Sequence, residues 1–438
     1  MVDLHHIDYS TFSIPIAKAN KTNLFYEGLQ FNPPAHGVWN IVHQGFLIPC
    51  SHQIFICGDG CMRGVVLTAY EAGREKDFSS IILDESNVIE GTMEEQIIEG
   101  ASDILSRMKV KPKAVEMFST CIHYFTGCDL AYCYGVLRKR FPSVFFTDCY
   151  MTPITRNSGI TPDEKMRMQL YSLLEKPEER DNGLTLLGNN YPMDASCDFP
   201  QLIQKSGRHF RDITETKTWE DYQELATSEM FVYSQPTAQK GAEKTVDTLG
   251  GTLYNYPLSY DITVLEAANT AWAKRLNVEP LDADKDKRLI EMRLNQLSEK
   301  LKGWQVSIDY TATPAHFSLA KLLLTHHIDV KNIYCLAVGS EEKESFDYLK
   351  QQYPDLILAC PSHPAARFLH QKQDHLLAIG QKAAYFEGTN QFVNMIENSG
   401  LTGLKGILTL IDLMEDAMEN AKPVEEIITQ KGWGCPHE

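Results

Sequence analysis

The chain of 438 residues lacks any run of about eighteen consecutive apolar residues, so no membrane-spanning helix is expected. Its first residues, Met1-Val2-Asp3-Leu4-His5-His6, have neither the basic start nor the apolar stretch of a secretory signal. Positive charge is scarce: 41 Lys and Arg against 58 Asp and Glu leave a formal charge of −17. So acidic a surface repels polyanions, which argues against nucleic acid or an anionic membrane as a partner. No glycine-rich loop followed by lysine and serine or threonine marks a phosphate cradle. Low-complexity stretches and short tandem repeats are absent too. The eleven cysteines are odd in number and unevenly placed, with no export signal, so a disulfide framework is not expected. Reduced thiols or metal ligands are expected instead, in the cytoplasm of an anaerobic or microaerobic cell. With 43% apolar and 23% charged residues, the length allows about two to four ordinary globular domains.

The chemistry is concentrated in Cys50–Cys61, C-S-H-Q-I-F-I-C-G-D-G-C, which packs three thiols with Gly58, Asp59 and Gly60. Ile54, Phe55 and Ile56 form a short apolar run that reads as a buried strand. The strand ends in a turn carrying Cys57 and Cys61. Glycine there lets the backbone take φ > 0 and come close to a bound object. A lone buried thiol behaves as a small hydrophobe. Three beside a glycine turn point instead to a soft metal, above all an iron–sulfur cluster. Met62–Glu71 reads as a helix starting at the turn, where its N-terminus favours thiolate charge.

Downstream, strands and helices alternate. Strands are expected at Ser80–Leu83, Lys113–Phe118 and Ser143–Phe146. Helices are expected from Thr92, with Glu95 completing a capping box, and from about Gly127. Residues 1–30 show no period and read as an irregular arm. Cys57, Cys61 and Cys121 fall beyond the carboxyl ends of two strands, where parallel sheets bind their ligands. A second α/β unit opens at Leu184–Leu187, and a third follows the charged helix Lys285–Lys302. Gly403–Ala421 reads as an apolar helix with Leu404, Ile407, Leu408 and Ile411 on its buried face.

Several segments together resemble component 1 of the nitrogenase superfamily, the nitrogenase molybdenum–iron protein and dark-operative protochlorophyllide reductase subunits. Gly60-Cys61 fits the family's second cluster cysteine. Thr120-Cys121, five residues, then Gly127-Cys128-Asp129-Leu130 is similar to its Thr-Cys followed by Gly-Asp-Asp and an aliphatic residue. Ile89–Glu95, Leu186–Asn189, Gly251–Thr263 and Gly400–Gly406 resemble further family segments, so the likeness spans nearly the whole chain. The resemblance implies an α/β fold of three Rossmann-like parallel-sheet domains around a cleft. The expected domains are 1–160 with the cluster cysteines, 161–298, and 299–438 with the C-terminal helix. It further implies a [4Fe–4S] or larger cluster between two component-1-type subunits, and a separate homodimeric iron protein that hydrolyses ATP and delivers electrons.

The departures from the family are as informative. Its first cluster cysteine belongs near Ala35, where there is none, leaving Cys50 or Cys57 to replace it and His36 as a more distant candidate. Cys128 stands where the family has an acid. No cysteine lies between Cys197 and Cys335, so the second-domain cysteine that helps hold nitrogenase's large cofactor has no counterpart. The expected metal ligands are Cys50, Cys57, Cys61, Cys121 and, in reserve, Cys128; Gly58, Gly60 and Arg63 are the expected cluster contacts. His123 is a candidate hydrogen-bond donor to the cluster. Cys133, Cys149, Cys197, Cys335, Cys360 and Cys435 read as structural, and neither His326-His327 nor His363 with His370 makes a strong metal site. The leading expectation is the iron–sulfur electron-transfer subunit of an ATP-dependent two-component reductase. Its rivals are a scaffold that assembles and passes on a metal cluster, and a zinc-stabilised protein without a redox role.

Overall fold

This computed structural model describes residues 12–25, 30, 31, 33, 35, 41–151, 160–369 and 373–426. The chain forms two compact units. One comprises Trp39–Asn190 and Arg208–Asn255; the other comprises Met1–Val38, Tyr191–Gly207 and Tyr256–Glu438. No described helix is long and apolar enough to cross a membrane.

The unit that carries the cysteine stretch holds two four-stranded sheets, parallel throughout. Numbering strands along the chain, with β1 in the other unit, the first sheet contains β2 (Ser51–Cys57), β3 (Phe78–Ile82), β4 (Ala114–Thr120) and β5 (Phe145–Met151). Their order is β3-β2-β4-β5. β2 and β4 are buried along their whole length, as central parallel strands covered on both faces must be. Side chains alternate between two cores. Ile54, Ile56, Val115 and Met117 pack with Ile97, Ala101 and Leu137 of helices Met93–Arg107 and Leu130–Arg140. Phe55 and Phe118 pack on the other side with Tyr222 and Phe231.

The second sheet contains β6 (Asp181–Leu187), β7 (Phe210–Asp212), β8 (Ser228–Tyr233) and β9 (Thr252–Asn255), ordered β7-β6-β8-β9. The other unit holds β1 (Ser13–Pro15), β10 (Gln305–Asp309), β11 (Val330–Tyr334), β12 (Ile357–Ala359), β13 (Leu376–Ile379) and β14 (Phe392–Val393). Their order is β1-β12-β11-β10-β13-β14, parallel except for β1. The fold is therefore α/β with three Rossmann-like parallel-strand sheets.

Two local expectations need correction. Within the arm, Ser13–Pro15 is a strand that closes the open edge of β12, with Ser13 opposite Ala359. Three residues are too few to show alternation, so only the partner strand reveals it. Thr92 precedes helix Met93–Arg107 but makes no side-chain cap; its hydroxyl accepts instead from Asn87 Nδ2 at 3.2 Å. A capping box does form at Thr161 and Glu164, across 2.7 and 3.2 Å.

Glu116 lies in the middle of β4 and is fully buried, with a thiol contact from Cys149 at 4.0 Å. Burial pushes its carboxyl from 4.5 up to about 8, against weaker opposing effects of Ser51 and Arg74. The native state thus holds a proton that the unfolded chain releases near 4.5. Its stabilising contribution is complete below that pH and is lost as pH rises through about 8. We expect the urea midpoint to fall between pH 6.5 and pH 8.5. Glu116→Gln should remove part of that fall; Glu342, which burial also raises to about 8, contributes a comparable part. Below pH 6.5, His52 and His316, which burial lowers to about 4, act in the opposite direction.

Candidate metal centre

In the order β3-β2-β4-β5, β2 connects outward to β3 on one side, and β4 connects to β5 on the other. The carboxyl ends of β2 and β4 therefore flank the topological switch point, where doubly wound sheets leave a crevice. Phe55 pairs with Phe118 and Ile56 with Ser119, which sets Cys57 level with Thr120. The turn Gly58–Cys61 and the segment from Thr120 to Cys121 thus leave neighbouring strands at the same edge.

Cys61 precedes helix Met62–Glu71 and is exposed; Cys121 opens helix Cys121–Thr126 and is half-buried. Each thiol stands at a helix start, where unpaired backbone N–H groups favour negative charge. The structure brings these two expected ligands to one edge.

The remaining candidates are placed differently. Cys50 is exposed at the amino end of β2, with φ of 55°. Six residues, Ser51–Ile56, separate it from Cys57, roughly 20 Å at the usual rise, so Cys50 does not reach the edge that holds Cys61. Cys57 is buried on the Phe55 side of β2, and its thiol meets Met62 Sδ at 3.1 Å. Burial, with Cys61 and Asp59 adding to it, pushes the Cys57 thiol up to about 11. Cys128 is half-buried and packs against the core that contains Cys133. Among the described residues, no three His, Cys, Asp or Glu side chains stand together as a metal-ion site.

Neither Gly58 nor Gly60 takes the left-handed backbone expected of the turn; Gly58 has φ of −68°. A Cβ at Gly60 would meet nothing within 4 Å, and one at Gly58 only Leu83 O at 3.9 Å. Nothing within the chain demands glycine there, so any demand comes from what approaches the turn. The side chain of Arg63 lies outside the described residues, as do His36, His370 and Cys435. Cys133, Cys149, Cys197, Cys335 and Cys360 are buried. His326 bonds Glu291 at 3.1 Å, and His363 Nδ1 accepts from Ala365 N–H at 3.2 Å.

His123 adds a polar group beside Cys121. Its Nδ1 lies 3.1 Å from the Thr120 N–H. Nδ1 also lies 3.2 Å from the Thr120 carbonyl, so the ring fits either tautomer; where Nδ1 accepts, the proton is on Nε2, which is buried with no partner among the described residues. Burial holds the ring below its ordinary pKa, so it is a neutral donor.

The sequence reading missed the surroundings. Tyr70, Ile89, Tyr124 and Phe125 are 70 to 82% exposed, with Val66, Val88 and Tyr132 also open. All lie on helices that follow β2, β3 or β4. The usable signal was the pair Tyr124-Phe125 three residues after Cys121, in a helix too short to bury both.

The third sheet shows the opposite arrangement at its switch point, between β10 and β13. Asp309 accepts from Thr311 N–H at 2.8 Å and from Ala383 N–H at 3.0 Å. In the same unit Glu342 accepts from Phe317 N–H at 2.5 Å at the start of helix His316–Thr325, and Asp198 accepts from Leu404 and Lys405 N–H at the start of helix Gly403–Glu419. Helix starts that elsewhere cradle phosphate are occupied here by the chain's own carboxylates.

These environments predict unequal reactivity. At pH 8 about a thousandth of the Cys57 thiol is ionised if its pKa is about 11. Iodoacetamide should label Cys50 and Cys61 of the native chain and spare Cys57 until the chain unfolds, as read by peptide mass spectrometry.

No protein-family model matches the chain, and no curated protein does. Among solved structures, nitrogenase Cp1 at pH 6.5 is similar with a TM-score of 0.67 and 13% identity, over 92% of this chain and 96% of that one. Nitrogenase Cp1 at pH 5 is similar with a TM-score of 0.59 and 13% identity, over 94% of each. The component-1 resemblance read from the sequence is thus borne out in the fold: this chain has the fold of nitrogenase Cp1 over nearly its whole length.

Proposed function

We propose that the chain is the iron–sulfur subunit of a nitrogenase-like, ATP-dependent two-component reductase, taking electrons from a separate homodimeric iron protein. The observation that carries this reading is the placement of Cys61 and Cys121 at the switch point of one sheet, on two adjacent strand ends. Thiolates there suit an iron–sulfur cluster, [4Fe–4S] or larger. Two thiols are too few to hold it, so the remaining ligands come from a second component-1-type subunit or a second copy. The exposed Tyr70, Ile89, Tyr124 and Phe125 would be covered by that subunit.

When bound, the cluster supplies one-electron storage and transfer. The residues of this chain supply its setting. Cys61 and Cys121 bind at helix starts that stabilise thiolate charge. In the tautomer whose Nδ1 accepts from Thr120 N–H, the His123 Nε2–H offers a donor to cluster sulfur, and the open space at Gly58 and Gly60 admits a close neighbour. Ile54, Ile56 and Val65 keep the ground beneath the site dry. ATP acts on the iron protein, in keeping with a chain that has no phosphate loop and fills helix starts with Asp198, Asp309 and Glu342. The acidic chain works in the cytoplasm.

The test is anaerobic co-production with the second subunit, followed by iron and sulfide analysis and electron paramagnetic resonance. Cys61→Ala and Cys121→Ala should each cost more than the roughly 10- to 100-fold of metal affinity lost with an outer partner. Cys50→Ala should keep its iron. Full iron content in Cys61→Ala would refute the assignment. Adding a reductase of the iron-protein type with ATP should give turnover; transfer of the cluster to an acceptor without turnover would make the chain an assembly scaffold instead.

A further inference from the structure

Among the described strands β5 pairs with β4 alone, so its other side is an open edge of the first sheet. A cavity of about 460 Å³ lies along that edge. Five consecutive residues, 144–148, line it, together with Arg138 from helix Leu130–Arg140 on one face of the sheet and Gln169 and Ser172 on the other. Five extended residues cover roughly 16 Å. The cavity is therefore a groove that runs with the strand, and its length suits an extended chain rather than a compact ligand.

The ladder decides what the floor of the groove offers. Phe145 N–H donates to Lys113 O at 2.9 Å, toward β4. Successive residues of a parallel strand turn their backbone groups to opposite sides, so those of Phe146 and Asp148 turn into the groove. Arg138 bears this out for Phe146, since its Nη2 donates to Phe146 O at 3.1 Å. The walls are mixed. Gln169 Nε2 donates to Asp148 Oδ1 at 2.9 Å, the Thr147 and Ser172 hydroxyls meet at 3.1 Å, and the exposed Phe145 ring stacks on Trp219 at 5.2 Å. The chain carries a net charge of −17, yet the amino end of the groove is basic. Arg138, Lys139, Arg140 and Lys113 are exposed there. Among the described residues Arg140 pairs with Glu99 at 2.7 Å, and the other three have no ion-pair partner.

We propose that the groove beside β5 receives an extended acidic peptide segment of a partner protein, which adds to the first sheet as a fifth strand. The main chain of the segment bonds the groove-facing backbone groups of Phe146 and Asp148, as in other strand additions to a sheet edge. An incoming N–H replaces Arg138 at Phe146 O. The guanidinium so released meets a carboxylate of the segment, with Lys113 and Lys139 adding to the attraction. Apolar side chains on the alternate face of the segment lie against Phe145. Arg138 thus has two states. It blunts the edge while the groove is empty, as charged groups do on other edge strands, and it selects the occupant by charge when the groove fills. The site needs none of the metal thiols.

The test uses the full chain and the peptide acetyl-Thr-Val-Glu-Val-Thr-Val-amide, with amide hydrogen exchange read residue by residue by mass spectrometry. Binding should saturate by about 1 mM peptide. It should slow exchange at Phe146 and Asp148 about tenfold and leave β3, at the opposite edge of the sheet, unchanged. The same peptide with Lys for Glu should bind about fivefold more weakly or worse, and Arg138→Gln should shrink that difference. A version N-methylated at alternate residues, on the side that would face β5, should not bind. Absence of saturation, equal binding by the lysine or the N-methylated peptide, or protection outside β5 would each overturn the proposal. So would protection of Phe146 and Asp148 that rises with protein concentration in the absence of peptide, which would assign the edge to a second copy of the chain. The unaltered chain decides even if Arg138→Gln fails to fold. The readout does not involve iron, so its failure leaves the cluster assignment standing.

Discussion

The rings of Phe55 and Phe118 stack at 4.4 Å between β2 and β4, and Phe78 of β3 continues the row at 4.9 Å. This contact does more than fill a core. It locks the pairing of two strands whose carboxyl ends carry Cys61 and Cys121, and so decides that both thiols leave the sheet at one level. A slip of one residue would move Phe55 to the other core and turn every side chain of β2 over. The metal chemistry proposed for this edge depends on a register that no metal ligand enforces.

The two units handle the same architectural feature in opposite ways. In the third sheet the strand ends are closed by carboxylates. Gly380 is glycine because its φ is 105° and because a Cβ would come within 2.1 Å of Asp309 Oδ2. Beneath, Glu387 accepts from Ser307, Asn332 and Tyr334 at 2.6 to 2.9 Å and pairs with Lys331 at 2.7 Å, leaving its carboxylate saturated. Polar groups there spend their bonds on each other. At the first sheet's edge, Gly58 and Gly60 have room around them, the His123 Nε2 has no partner among the described residues, and aromatic side chains face solvent. One switch point is filled by the chain's own carboxylates, and the other is open among the described residues.

Burial also sorts the cysteines into chemical kinds. Cys57 and Cys149 are held neutral by desolvation, so neither is a ready thiolate. Cys61 and Cys121 stand at helix starts on an open edge. Cys133 is buried in the core against which the half-buried Cys128 packs. These are different reactivities from one residue type within one sheet and the helices packed on it.

Much of this was legible without coordinates. The apolar run Ile54–Ile56, the helix Met62–Glu71 and the strand ending at Thr120 follow from hydrophobic period and turn residues, because local sequence decides local structure. The alternation of strand and helix likewise implied parallel sheets, and the Thr120–Leu130 segment pointed to the fold. Cys50 and Cys57 looked equivalent in the sequence because spacing along a chain does not say which end or which face of a strand a thiol occupies. The short strand Ser13–Pro15 needed the open edge of β12. Sequence by itself determined the elements and their order; only the tertiary structure decided which thiols meet, because that depends on strand register and on burial, both set by residues far away along the chain.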